Sequence, residues 1–318
     1  MTDRALRSSA GLVRRDKPAL STGWPGRLAL IVFVLTVCSG AIGPVMQPVV
    51  LVAAVAAGLP HGALDHLVGR KVFASRYGRW WPAPFLAGYL GLAGTVLVGW
   101  TLTPAFTLLA FLLLSMLHFG AEDAAAVGED SALRRLALGG IPIVMPALAH
   151  PDEVGRLFGW LAGDSGRLVE TVVRGPAAVA WLGAVVAVAL HWLRHPTRGR
   201  VDTMLEVGAT LFLFIVAPPL VGFAIYFVVV HTPRAMLKLG RSLNQTCAPA
   251  RMAAHTAPLT AASLVFGLIV FWLQPGHSFA ADAVRACFIT LSALTVPHMG
   301  LDWLVRLKST AASRRLPC

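Results

Sequence analysis

Run after run of about 20 apolar residues, parted only by short polar or Gly/Pro links, governs what this chain can fold into. Ten such runs are legible, over 27–43, 46–68, 83–101, 105–122, 133–149, 168–193, 201–217, 219–238, 255–274 and 281–305. Roughly 20 helical residues cross the hydrocarbon core of a bilayer. Inside hydrocarbon every backbone N–H and C=O needs an internal partner, so such runs adopt helix. Only 13% of the 318 residues are charged and 56% are hydrophobic, with a mean hydropathy of +0.70, whereas a soluble domain carries about 25% charged residues. The expected fold class is all-α, a polytopic transmembrane helical bundle of about 8–10 helices. The range reflects Gly43-Pro44, Pro218-Pro219 and similar pairs, which punctuate turns but are also tolerated inside membrane helices.

Charge distribution orients the bundle. Residues 1–26 carry Arg4, Arg7, Arg14, Arg15 and Lys17 and are expected to form a disordered cytoplasmic tail. Residues 27–305 form a single transmembrane helical domain, and 306–318 a basic cytoplasmic C-terminal tail. The run from Arg27 lacks a small-residue cleavage site and is expected to be an uncleaved first helix. With a cytoplasmic N-terminus, the inside links are 69–82, 123–135, 194–200 and 234–254. Those links and the two tails, with Arg27 counted in the first, hold every lysine and arginine except Arg156, Arg167, Arg174 and Arg285. A multi-pass protein of the cell (inner or plasma) membrane follows. The net charge of +12 therefore reports topology; no basic stripe marks nucleic acid as a partner. Cys38, Cys247, Cys287 and Cys318 show neither CxxC spacing nor a disulfide framework.

Four histidines, His61, His118, His231 and His298, fall near the ends of four of these runs, all four directed from outside to inside. They share one depth and can converge, as ligands from facing helices do in metal-binding bundles. An ionisable group at such depth needs a partner and marks a functional site by default. Three have an acid four residues on: His61/Asp65, His118/Glu122 and His298/Asp302. On a continuous helix i and i+4 share a face. Asp65, Glu122, Asp123 and Asp302 are therefore candidate second-shell carboxylates, orienting imidazoles from behind. Pro60 loosens the helix before His61, and Gly62 is expected to allow close backbone approach.

Blander readings stand beside these. The acids after His61 and His118 also suit helix ends entering water, and His66 reads as an interface marker. Arg234 is expected to snorkel toward the interface. Trp80, Trp81, Trp100 and Trp272 read as aromatic-belt anchors. Glu206 suits a second-shell acid, a proton relay or simple interface packing. His150, His191, His195, His255 and His277 lie at helix ends or in links. The small-residue helix Leu86–Gly99 offers room for a ligand or simple packing. Imidazoles alone suit Fe, Cu, Zn or Ni.

The motifs Pro60-His61-Gly62-Ala63-Leu64-Asp65-His66, His118-Phe119-Gly120…Asp123, Pro218-Pro219-Leu220…Phe223…Tyr226-Phe227…His231-Thr232-Pro233-Arg234 and Pro297-His298-Met299 resemble the Brp/Blh family. These are bacterial and archaeal membrane β-carotene 15,15′-dioxygenases, and the resemblance spans about residues 45–305. It implies an Fe(II) enzyme that uses O2 to cleave β-carotene, or a related carotenoid, centrally into two retinals within the lipid bilayer. A rhodopsin that receives the retinal is an implied partner. Carried over by position, the family's iron ligands fall on His61, His118 and His231. Where the family has a further histidine four residues after the third, this chain has Ala235. His298 or water would then complete the site. Ala235 keeps a second function open, a carotenoid- or retinal-binding protein without turnover. An ion or proton transporter is a third, although the strong candidates sit in one leaflet.

Overall fold

The computed structural model describes residues 24–127, 131–195, 200–242, 249–276 and 278–313, and these are helix joined by short turns, with no strand among them. Residues 1–23 of the expected tail, 314–318, Cys247, His277 and Cys318 lie outside the described residues. The helices are α1 (Trp24–Ser39), α2 (Gln47–Gly62), α3 (Asp65–Tyr77), α4 (Pro82–Leu102), α5 (Pro104–Ala126), α6 (Ala132–Gly139), α7 (Ile141–Ala149) and α8 (Pro151–Ala162). They continue as α9 (Gly166–Val172), α10 (Ala178–Arg194), α11 (Arg200–Val216), α12 (Pro219–Ile225), α13 (Thr232–Ser242), α14 (Pro249–Trp272) and α15 (Phe279–Ser313). Proline opens α4, α5, α8 and α12, where its missing N–H costs no helical bond.

Among the described residues six helical stretches are long and apolar enough to cross a membrane: Gln47–Trp80, Pro82–Leu102, Pro104–Ala126, Pro151–Arg194, Pro219–Leu237 and Phe279–Val305. The pair α6 and α7, bent by 44°, makes a seventh, and Gly26–Ser39 and Thr256–Trp272 are shorter apolar helices. The protein is thus an all-α, multi-pass helical bundle. Large apolar side chains such as Leu30, Leu90, Val179, Leu193 and Leu268 stand exposed on its outside, as lipid-facing residues do.

The links differ from the sequence expectation in being largely helical, and 234–254 is helix wherever it is described, as α13 and the start of α14. Residues 69–82 and 150–167 are mostly helical, as α3 and α8. Their charge hides them from a hydropathy reading, yet neither is broken until a glycine at positive φ, Gly78 (51°) or Gly163 (58°), ends it. The run 133–149 is broken at Gly139-Gly140. A Cβ on Gly120 would strike the Arg135 carbonyl, and one on Gly139 would strike the Met116 carbonyl. Backbones of α5 and α6 therefore touch, with glycine on each side of the contact. α15 runs on to Ser313, well past 305.

Two buried clusters make up most of the core. One joins Leu51, Leu108, Val169 and Val284 from α2, α5, α9 and α15. The other joins Val32, Trp181, Leu213 and Phe214 from α1, α10 and α11. Phe223 packs against both, and the histidines gather beside it. Trp80 and Trp272 are exposed as belt residues are, but Trp100 is buried and donates its Nε1–H to Ser292 Oγ at 2.7 Å. That hydrogen bond lets its indole leave the interface.

Candidate metal centre

Prolines shape three of the four histidine positions. Pro60 sits inside α2 immediately before His61, and Pro297 sits inside α15 immediately before His298. Pro233, two residues after His231, cannot donate to the carbonyl four residues back. The turn there is widened into a π-helix over Tyr226–His231, with the Thr232 N–H reaching back five residues to Phe227 O. Such widened turns recur at functional sites.

The four rings close into a ring of their own. Centroids lie 5.4 Å apart for His61–His231, 5.1 Å for His231–His118, 5.4 Å for His118–His298 and 5.9 Å for His298–His61. Interplanar angles of 88°, 69°, 84° and 89° set each neighbour edge to face. Imidazoles sharing one metal at about 2.1 Å from nitrogen have ring centres roughly 5 Å apart. The donor set is of a kind that binds metal ions, and its rings are spaced as imidazoles sharing one are. Among the described residues no group of three or more His, Cys, Asp or Glu side chains is placed to hold a metal ion as it stands.

His231 and His118 are buried, and His61 and His298 are half-buried. All four line one cavity of about 510 Å³. Its other walls are mainly apolar, with Phe111, Phe223, Phe266 and Phe288 among them. α4 lends the stretch from Phe85 to Leu97, about 18 Å of helix. Ala93 and Gly94 on that stretch leave room for a ligand.

Asp65 does not serve the histidine that sequence spacing assigned to it. Asp65 lies beyond the break at Ala63-Leu64, so it does not share a helical face with His61. Its Oδ1 is 2.7 Å from His298 Nδ1, and its Oδ2 accepts from Tyr89 Oη at 3.2 Å. His61 Nδ1 instead lies 2.5 Å from the Gly58 carbonyl in its own helix. Asp65, not Asp302, meets the Nδ1 of His298; Asp302 is half-buried one turn further along α15. Glu122 is buried one turn past His118.

Asp123 holds the backbone around His231. Its Oδ2 accepts from Tyr226 Oη at 2.9 Å and its Oδ1 from Arg234 Nη1 at 2.6 Å. Arg234 also donates through Nη2 to Glu206 Oε1. Arg234 is thus buried between two acids from α5 and α11 and does not snorkel. Phe227 stacks on His231 at 5.6 Å and meets His61 edge-on at 5.8 Å. A Cβ on Gly58 would strike the Phe227 ring, whereas nothing lies within 4 Å of one on Gly62. The close approach expected at Gly62 occurs at Gly58.

Sequence reasoning missed Tyr89 and gave Tyr226 only as a member of a motif. The chain has only three tyrosines, and these two lie within apolar runs, a signal that their hydroxyls have buried partners. His66 lines the cavity wall with Nδ1 2.8 Å from the Ala63 carbonyl. His191 and His195 pair at the exposed end of α10, away from the four.

Fold and site together define a multi-pass helical membrane protein with clustered imidazoles on the wall of an apolar cavity. The family model for β-carotene 15,15′-dioxygenase matches residues 52–305, and the chain belongs to that family. It is 28% identical over 345 aligned residues to the probable β-carotene 15,15′-dioxygenase Blh of Halobacterium salinarum, covering 97% of this chain and 96% of that protein. It is 33% identical over 265 residues to the β-carotene 15,15′-dioxygenase of an uncultured marine bacterium, 66A03, covering 80% of this chain and 92% of that one. No solved structure matches it.

Proposed function

We propose that this chain cleaves the central 15,15′ double bond of β-carotene with O2, giving two molecules of retinal, at an Fe(II) ion held by His61, His118 and His231. The convergence of the histidines on one wall of an apolar cavity carries this reading. Iron, when bound, supplies the redox chemistry that O2 needs to react with an alkene. The chain's own residues bind, orient and exclude water.

β-Carotene is a hydrocarbon with no polar handle, so its binding rests on apolar burial, worth about 25 cal/mol per Å². Phe111, Phe223, Phe266 and Phe288 supply that surface. Substrate enters from the lipid bilayer of the cell membrane, and retinal leaves toward a rhodopsin. Asp123, Tyr226 and Arg234 fix the His231 turn, so that the imidazole edge does not drift from the cavity wall.

The test is expression in bacteria that make β-carotene, with the wild-type chain beside His118→Ala. Loss of pigment with formation of retinal, abolished by the substitution, supports cleavage. Carotenoid bound intact with little iron would replace it by the binding-protein reading that Ala235 keeps open.

A further inference from the structure

We propose that His298 is itself a metal ligand in this chain, and that Asp65, supported by Tyr89, is the residue that positions it. This rests on the histidine cluster holding a metal.

His298 lies 5.4 Å from His118 and 5.9 Å from His61, close to the 5.1 and 5.4 Å between the other neighbours, so it closes the cluster from α15. Its Nδ1 faces the buried Asp65 carboxylate at 2.7 Å. With the proton on Nδ1, donated to that carboxylate, Nε2 carries the lone pair a metal requires. A carboxylate behind a ligating imidazole fixes its tautomer and ring plane and raises its basicity.

Asp65 is itself held. Tyr89 Oη donates to its Oδ2 at 3.2 Å and lies 3.3 Å from the Leu294 carbonyl, one turn before His298. The hydroxyl thus ties α4 to both ends of the Asp65–His298 pair. One turn after His231, Ala235 offers only a methyl group, so α13 supplies no second imidazole on that face. α15 supplies it instead. A carboxylate so deep in an apolar domain is costly without a partner, and α4 and α15 each provide one.

The experiment titrates metal-free full-length chain in detergent with Co(II) and with Fe(II), reading bound metal per chain and the Co(II) d–d spectrum. His298→Ala, with His298→Gln as a second variant of similar size, is expected to weaken binding and change the Co(II) spectrum. Asp65→Asn is expected to weaken binding roughly 10–100-fold, as loss of an orienting partner does, with Asp65→Glu recovering part of it. The double variant His298→Ala/Ala235→His is expected to regain metal, because it restores an imidazole one turn after His231. Wild-type affinity and an unchanged spectrum in both His298 variants, beside metal loss in His118→Ala, would overturn the proposal while leaving the metal site intact. Metal retained by His118→Ala as well would instead remove the metal reading underneath it.

Discussion

Arg234 donates to Asp123 at 2.6 Å inside the helical bundle, and the same guanidinium reaches Glu206. One cation therefore joins α5, α11 and α13 next to His231. Arg234→Gln leaves two carboxylates buried side by side, and breaking a buried pair in this way costs about 3–5 kcal/mol. Chemical denaturation in detergent should show that loss. Arg234→Lys should fall between, since it keeps the charge and loses the two-pronged geometry.

Gly58→Ala should impair the site more than the fold. Its Cβ would displace Phe227, which touches both His61 and His231. Overpacking of this kind costs about 1–3 kcal/mol. Retinal yield per folded chain should fall about tenfold or more, because small misplacements at a reacting site have large kinetic effects.

Gly120→Ala should act mainly on stability. The added methyl meets a backbone carbonyl of α6, which cannot rotate away, and a loss of about 1–3 kcal/mol is expected. Gly62→Ala, in open space, should leave the thermal midpoint nearly unchanged.

Gly94→Phe should fill part of the cavity beside α4, whose wall at this point is open. Bound iron should stay at the wild-type level while KM for β-carotene rises. Equal loss of iron would show that the cavity wall and the metal site are not separable.

The helices were legible because hydrocarbon admits few structures: each apolar run expected from sequence is mostly helical where described. The four histidines were legible for the same reason, being costly where they lie. Partner assignment was not. The i,i+4 rule presumes an unbroken helix, and the break at Ala63-Leu64 turned Asp65 from His61 toward His298, 233 positions away in sequence. Arg234 looked like an interface residue because its acids come from α5 and α11, contacts that no local pattern announces. Trp100 misled in the same way, since Ser292 on α15 satisfies its indole.

Iron K-edge X-ray absorption of the purified full-length chain, loaded with Fe(II), tests the central claim most directly. Three or four imidazole nitrogens at about 2.1 Å, with the outer-shell scattering of histidine rings and one nitrogen fewer in His118→Ala, is the predicted result. An iron shell of oxygen alone, unchanged by that substitution, would contradict it.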